Sequence, residues 1–296
     1  MSRVGIVGAG IVGLAAACEL QRQGHAVELF DPGEPGGGAS RGNAALIAVT
    51  QNLPLASPAI RAELPRLLLD REGPLVVRPG HLPALAPWGL AFLGASAESR
   101  VGPTARALAG LLGEAMPAWL DLLADLGEGA RLVRRGTLYV YLDPARLAAA
   151  EADAALRRSF GARIDPIPAE AVRQMEPALA GRFAGALLHA DAGHVTDPGG
   201  LSSALATCLR QAGAVFHREA VQDVRSVPGG GVGLATASAT IPFDRAVIAT
   251  GVDAGALSRR LGCRVRIESE RGYHVELPGA AGLLRGPVGF ATVASS

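Results

Sequence analysis

Chemistry concentrates near the amino end of the chain. Gly8-Ala9-Gly10-Ile11-Val12-Gly13 spells GxGxxG, and an acid, Asp31, stands 23 residues after Gly8. Glycines and a following acid at this spacing suit a bound dinucleotide. Gly8 permits a tight turn, Gly10 lets a pyrophosphate approach the backbone, and Gly13 lets a helix pack closely on a strand. The helix N-terminus offers free N–H groups and about half a positive charge to the phosphates. Asp31 can accept hydrogen bonds from adenosine ribose hydroxyls. Its carboxylate would repel a 2′-phosphate, which argues against NADP. The motif by itself does not separate NAD from FAD.

These residues work only if a strand, a helix and a second strand position them. Arg3 to Val7 reads as a short buried strand. From Ile11 to Gln23 the pattern turns helical, with Ile11, Leu14, Ala15 and Cys18 on one face and Glu19, Arg22 and Gln23 polar. Gly24 stands where a helix C-cap belongs. Ala26 to Phe30 reads as the second strand, ended by Asp31. The unit is βαβ. A plain NAD domain would continue with another such unit. Here Gly36 to Ile47 is instead a small-residue loop holding Ser40, Arg41 and Asn43. A loop of that kind can pass close to the phosphates and ring edge of a bulky ligand.

The composition bounds the alternatives. With 296 residues, 49% hydrophobic and 19% charged, the chain has material for one large or two small cores and is not a disordered polymer. A net charge of +1 and 4% aromatics give neither the field nor the stacking platforms that nucleic acid needs. All 28 basic residues are Arg, which excludes a Walker-type lysine loop and Schiff-base chemistry. Cys18, Cys208 and Cys263 form no CxxC pair and the six His no HxxxH pair, so no metal site is expected. Val4 to Cys18 is uncharged but glycine-rich and too short to span a bilayer, and no other run reads as a transmembrane segment.

Taken together, the GxGxxG, Asp31 and the stretch ASRGNAALI at 39–47 resemble the D-amino-acid oxidase type of FAD-dependent oxidoreductases, and more narrowly the D-amino acid dehydrogenase branch. Further segments agree in order: AGHVTDP at 192–198, AVQDV at 220–224, AVIATG at 246–251 and ERGYH at 270–274. The resemblance covers essentially the whole chain. It implies an α/β fold, with a Rossmann-like FAD-binding domain and an inserted α+β substrate domain. It implies FAD as cofactor, held by Gly8, Ala9, Gly10, Ile11, Val12, Gly13 and Asp31 at the ADP half. Ser40 and Arg41 would lie by the pyrophosphate, with Asn43, Ala44 and Ala45 nearer the flavin. Val221 would meet adenine through its backbone, and Thr250 and Gly251 would close over the dinucleotide. The structural reading of Val221 is a plain core valine.

Domain limits are expected at 1–54 plus 146–254 for the FAD domain, and 55–145 plus 255–296 for a partial substrate domain. Arg106 to Leu126 reads as a helix with a leucine stripe, breakable at Pro117. Gly136 to Leu142 reads as a strand, Arg146 to Arg158 as a helix, and Val172 to Pro177 as a turn. Gly213 to Val227 reads as one strand, and Phe243 to Gly251 as a buried strand running into a glycine turn. Relatives continue beyond Ser296 with an Arg that grips the substrate carboxylate. On that basis this chain is expected to act poorly on D-amino acids as it stands.

The resemblance implies oxidation of a D-amino acid or related amine by hydride transfer to flavin N5, the imino acid then hydrolysing to an oxo acid. The electron acceptor is left open among a quinone, a dye and oxygen. No catalytic residue is assigned. Tyr273 and His274 are the substrate-side candidates, with Arg271 a possible anion partner. His194 reads as a histidine held by a structural hydrogen bond. Localisation is expected to be cytoplasmic or peripheral on the inner membrane face. Two other readings stand beside this one: a catalytically incomplete FAD-binding fragment or subunit, and an NAD-linked Rossmann protein.

Overall fold

A computed structural model describes residues 1–69, 79–267, 269 and 272–290. The chain divides into two compact units: Met1–Ala45, Leu120–Leu132 and Val195–Glu276 in one, and Leu46–Trp119, Val133–His194 and Leu277 onward in the other. The expected limits shift accordingly. Residues 146–194 lie in the second unit and 255–276 in the first. The reason for the first shift is strand pairing. Ile164–Pro168 and Gly185–His189 belong to the same sheet as Thr137–Tyr141, so this stretch cannot leave it.

The first unit begins with β1 (Arg3–Val7), α1 (Ile11–Arg22) and β2 (Ala26–Phe30). Later come α2 (Pro198–Gln211), β3 (Val215–His217), β4 (Asp223–Ser226), β5 (Val232–Ala235), β6 (Thr240–Phe243), β7 (Arg245–Ile248) and α3 (Ala254–Arg260). Four strands form a parallel sheet in the order β7-β1-β2-β3. β1 is central, and its Val4, Ile6 and Val7 are buried as a run, as expected of a strand covered on both faces. α1 and α2 pack on each other, and Leu14 and Ala17 of the one and Leu201 and Leu205 of the other are buried. β4, β5 and β6 form an antiparallel meander. Its Val224, Leu234 and Phe243 share one core with Val7, Phe30 and Leu257.

Two expected strands are corrected here. Gly213 to Val227 is not one strand: β3 joins the parallel sheet and β4 the meander. Phe243 to Gly251 is likewise split, because Phe243 closes β6 while β7 begins at Arg245 and pairs with β1. Both segments change sheets, which a run of apolar residues cannot reveal.

In the second unit Thr137–Tyr141, Gly185–His189 and Ile164–Pro168 pair antiparallel, with Val288–Phe290 parallel on the outer side of Thr137–Tyr141. The helix Pro144–Ser159 starts on Asp143, whose carboxylate accepts from Ala145 N at 2.8 Å. Ala169–Met175 is a helix where a turn is expected, the turn coming after it. The leucine stripe lies on two helices, Glu98–Gly113 and Ala115–Asp125. It is not a core stripe: Met116 and Leu123 are buried, but Leu111 is 73% exposed. Taken as one stretch, Glu98–Asp125 is long and apolar enough to cross a membrane by length and composition alone, a test that helices outside membranes also pass.

One charged cluster ties the parallel sheet together. Glu28 on β2 accepts from His217 Nε2 on β3 at 2.7 Å and pairs with Arg3 on β1 at 2.6 Å. Burial pushes the Glu28 carboxyl up, but the hydrogen bonds and charges of His217 and Arg3 outweigh it and hold the group below its ordinary range. Glu28 therefore contributes stability above the unfolded glutamate value, and that contribution is lost as pH falls through the lower folded value. Glu28→Gln should flatten the acid limb of a Tm-against-pH curve while changing the neutral limb less. An acid limb identical to wild type would refute this.

Candidate cofactor site

The β1–α1 turn is built by close approaches. Gly8 has φ +101°, and a Cβ there would stand 2.5 Å from Ala249 O. Gly13, on α1, faces the Gly8 carbonyl oxygen so closely that no Cβ fits between them. Gly10 differs: its backbone is extended (φ −72°, ψ 177°), and an added Cβ would meet only Ser40 Oγ, at 3.3 Å. The two outer glycines are thus demanded by the turn itself, whereas Gly10 leaves open space above the helix start.

The α1 ladder opens with Leu14 N donating to Gly10 O at 2.9 Å. The N–H groups of Ile11, Val12 and Gly13 precede it, as at every helix start. Ser40 Oγ accepts from Ile11 N at 2.9 Å, so the 36–47 loop reaches over this end of the helix. Val12, an apolar residue of the first turn, is 68% exposed. Ala9 is buried, and its N–H donates to Asp31 Oδ2 at 2.8 Å. Asp31 Oδ1 accepts from Gly33 N at 2.8 Å. Sequence reasoning assigned Asp31 to ribose hydroxyls. The structure adds a second task, bracing the glycine turn from the end of β2.

The loop is held by its own side chains. Gly36 N donates to Ala9 O at 2.8 Å, and Gly36 lies so close to Ser202 of α2 that only glycine fits. Arg41 runs along Gly199 at the start of α2, its Nε 3.9 Å from the position a Cβ would take. Asn43 Nδ2 donates to Ala39 O and Ser40 O at 3.1 and 3.2 Å, and Asn43 Oδ1 accepts from Ala45 N at 2.7 Å. Ala45 has φ +54°, strained for a residue with a Cβ. That strain was missed. An Asn that bonds two residues ahead is a known turn signal and could have shown where the loop bends. Ala44 is exposed.

At the far edge, Thr250 N would be 3.0 Å from a Cβ on Gly8, and Gly251 follows with φ +59°. The Thr250 hydroxyl is buried and has no hydrogen-bond partner among the described residues. An orphaned hydroxyl beside a glycine turn is a feature that a bound polar group would satisfy. Val221 packs against the core and lies just before β4, while Gln222 N donates to Ala235 O at 2.8 Å.

The substrate-side candidates fall differently. His274 places its ring over Gly42, with Cε1 3.1 Å from where a Cβ would be. Tyr273 is 87% exposed. Arg271 lies outside the described residues. His194 is a strand residue opposite Leu46, and its Nδ1 is buried without a partner, so the structural hydrogen bond expected of it is not found at that atom. Burial, then the nearby Arg135, lowers its pKa.

Comparisons with known proteins bear on this site. The FAD dependent oxidoreductase family, DAO, matches residues 3–294. A D-amino-acid oxidase from Bradyrhizobium diazoefficiens is 35% identical over 92% of this chain and 65% of its own length. D-amino acid dehydrogenase 2 from Ralstonia nicotianae is 32% identical over 97% of this chain and 69% of its own. The solved glycine oxidase from Geobacillus kaustophilus superimposes with a TM-score of 0.60 at 27% identity, covering 88% of this chain and 59% of that one. This chain therefore spans 65% and 69% of the two relatives and 59% of the glycine oxidase.

Proposed function

This chain belongs to the DAO family of FAD-dependent oxidoreductases, and from that premise we propose that it takes part in oxidising a D-amino acid or a related amine. We further propose that its first unit holds FAD at the β1–α1 turn. The observation that carries the reading is the convergence of Gly8, Gly10, Gly13, Ser40 and the orphaned Thr250 hydroxyl around one helix start.

In this reading, with Ile11 N held by Ser40 Oγ and Ala9 N by Asp31, the N–H groups of Val12 and Gly13 meet the pyrophosphate. The α1 dipole favours its charge. Ser40 and Arg41 add a hydroxyl and a cation from the loop side. Asp31 uses its remaining acceptor capacity for ribose hydroxyls, while Val221 lies toward adenine. Thr250 donates its hydroxyl and Gly251 lets the chain turn over the ligand. Asn43, Ala44 and Ala45 border the flavin end, and Tyr273 with His274 border the substrate. Bound FAD supplies a two-electron acceptor for the α-hydrogen of the amine, leaving the protein to orient both and exclude water.

The test has two parts. Protein denatured after gentle purification should release FAD and no NAD. Native protein should then reduce a dye acceptor with one or more of a panel of D-amino acids. Flavin release without turnover would favour an FAD-binding part that needs further chain. Neither flavin nor turnover would overturn the reading.

A further inference from the structure

The second unit contains a polar pocket, partly open to solvent, that the proposed oxidation does not use. It is lined by Gln51, Tyr139, Asp153, Arg157, Leu187 and His189, and has room for a single water-sized group. Arg157 comes from the helix Pro144–Ser159 and is only 4% exposed. Among the described residues its guanidinium makes one hydrogen bond, from Nη1 to Thr50 O at 3.3 Å, and no carboxylate lies within ion-pairing distance. Asp153 is one turn away on the same helix, but burial, with Glu63 nearby, raises its pKa despite the charge of Arg157. A guanidinium taken out of water without a paired counter-charge is strongly disfavoured. The guanidinium keeps further N–H groups that can donate into the pocket.

The rest of the lining can supply donors. Gln51 Nε2 donates to Tyr139 Oη at 3.3 Å, so the tyrosine proton is left to give elsewhere. His189 is 6% exposed and shares a 2.7 Å hydrogen bond with Thr50 through Nδ1. Burial first, then Arg157 and Arg158, push its pKa down to about 4, so the ring is neutral near pH 7. If Thr50 donates to Nδ1, the single ring proton sits on Nε2. A ligand that accepts hydrogen bonds would select that tautomer. Beside this cluster, Asn52, 2% exposed, also leaves Oδ1 without a partner.

We propose that this cavity is a halide site, in which a chloride-sized anion sits against the Arg157 guanidinium and accepts from Tyr139 Oη. The size of the cavity favours a monatomic anion over a carboxylate. The Arg157 cation, which makes no ion pair among the described residues, favours an anion over water. Asp153 opposes the anion when ionised, so its neutral isostere should strengthen the site.

The experiment uses the full chain as purified. Sodium chloride is titrated against sodium gluconate at constant ionic strength, with Tm as readout. Crystals soaked in bromide are then examined by anomalous scattering. A saturable rise in Tm with chloride is expected, together with a bromide peak beside Arg157. Asp153→Asn should shift the midpoint to lower chloride. Arg157→Gln should raise it roughly tenfold or more, as for loss of a charged hydrogen bond. If that variant does not fold, Tyr139→Phe keeps the ring and should raise the midpoint severalfold. A non-saturating response shared by all variants, or water in place of bromide, would overturn the proposal.

Discussion

Gly10→Val should purify folded and without flavin, whereas Gly13→Val should fail to fold. The two glycines belong to one motif, but their surroundings differ. A side chain on Gly10 meets only Ser40 Oγ, at 3.3 Å, the end of a small side chain that can rotate away. Its backbone lies in a region open to any residue. Valine there fills the space above the α1 start, where the pyrophosphate is proposed to lie, and the expected loss of FAD affinity is at least a hundredfold. A side chain on Gly13 instead runs into the backbone carbonyl of Gly8, and neither α1 nor the turn can move without unseating β1. Overpacking of this kind costs about 3 kcal/mol or more. Circular dichroism and flavin content of the two purified variants check both halves. If Gly10→Val retains FAD at full occupancy, the cofactor lies elsewhere.

The second large effect is expected at Asp31. Its two oxygens already hold Ala9 N and Gly33 N, each at 2.8 Å. The carboxylate thus shapes the turn before any ligand arrives. Asp31→Ala removes both bonds together with the proposed ribose contact. Hydrogen bonds to a charged group are worth about 1.5–3 kcal/mol, so FAD affinity should fall roughly ten- to hundredfold. Tm should fall in the cofactor-free protein as well. Asp31→Asn, which keeps one acceptor oxygen, should recover part of the stability. Titrations of FAD into cofactor-stripped protein, paired with thermal melts, separate the two effects. An unchanged Tm in the cofactor-free alanine variant would show that the turn does not depend on Asp31.

Much of this arrangement was legible in the sequence. The GxGxxG between a valine-rich run and a helical pattern placed β1, α1 and β2, because each feature reports local backbone requirements. The glycines state where no side chain fits, and the apolar period states which face is covered. The resemblance in the 39–47 loop pointed to flavin chemistry, and the family match agrees. Other features were hidden because they depend on distant partners. Gly213 to Val227 and Phe243 to Gly251 looked like single strands, yet each is divided between two sheets. The leucine stripe of 106–126 had helical period, but period cannot say whether another element covers it, and Leu111 stands exposed.

The sequence by itself determined the βαβ unit, the glycine turn and the acid that follows, since these rest on contacts between residues close in the chain or on steric limits of single residues. Only the tertiary structure decided that Ser40 reaches Ile11 N, that Ser202 forces glycine at position 36 and that Thr250 brings an unpartnered hydroxyl to Gly8. It also decided that Arg157 is buried with no ion pair to a carboxylate among the described residues. Each of these pairs residues far apart in sequence, and their meeting depends on which strands pair and which helices pack. Chain spacing does not encode that outcome locally, because it is set by the burial of the whole core.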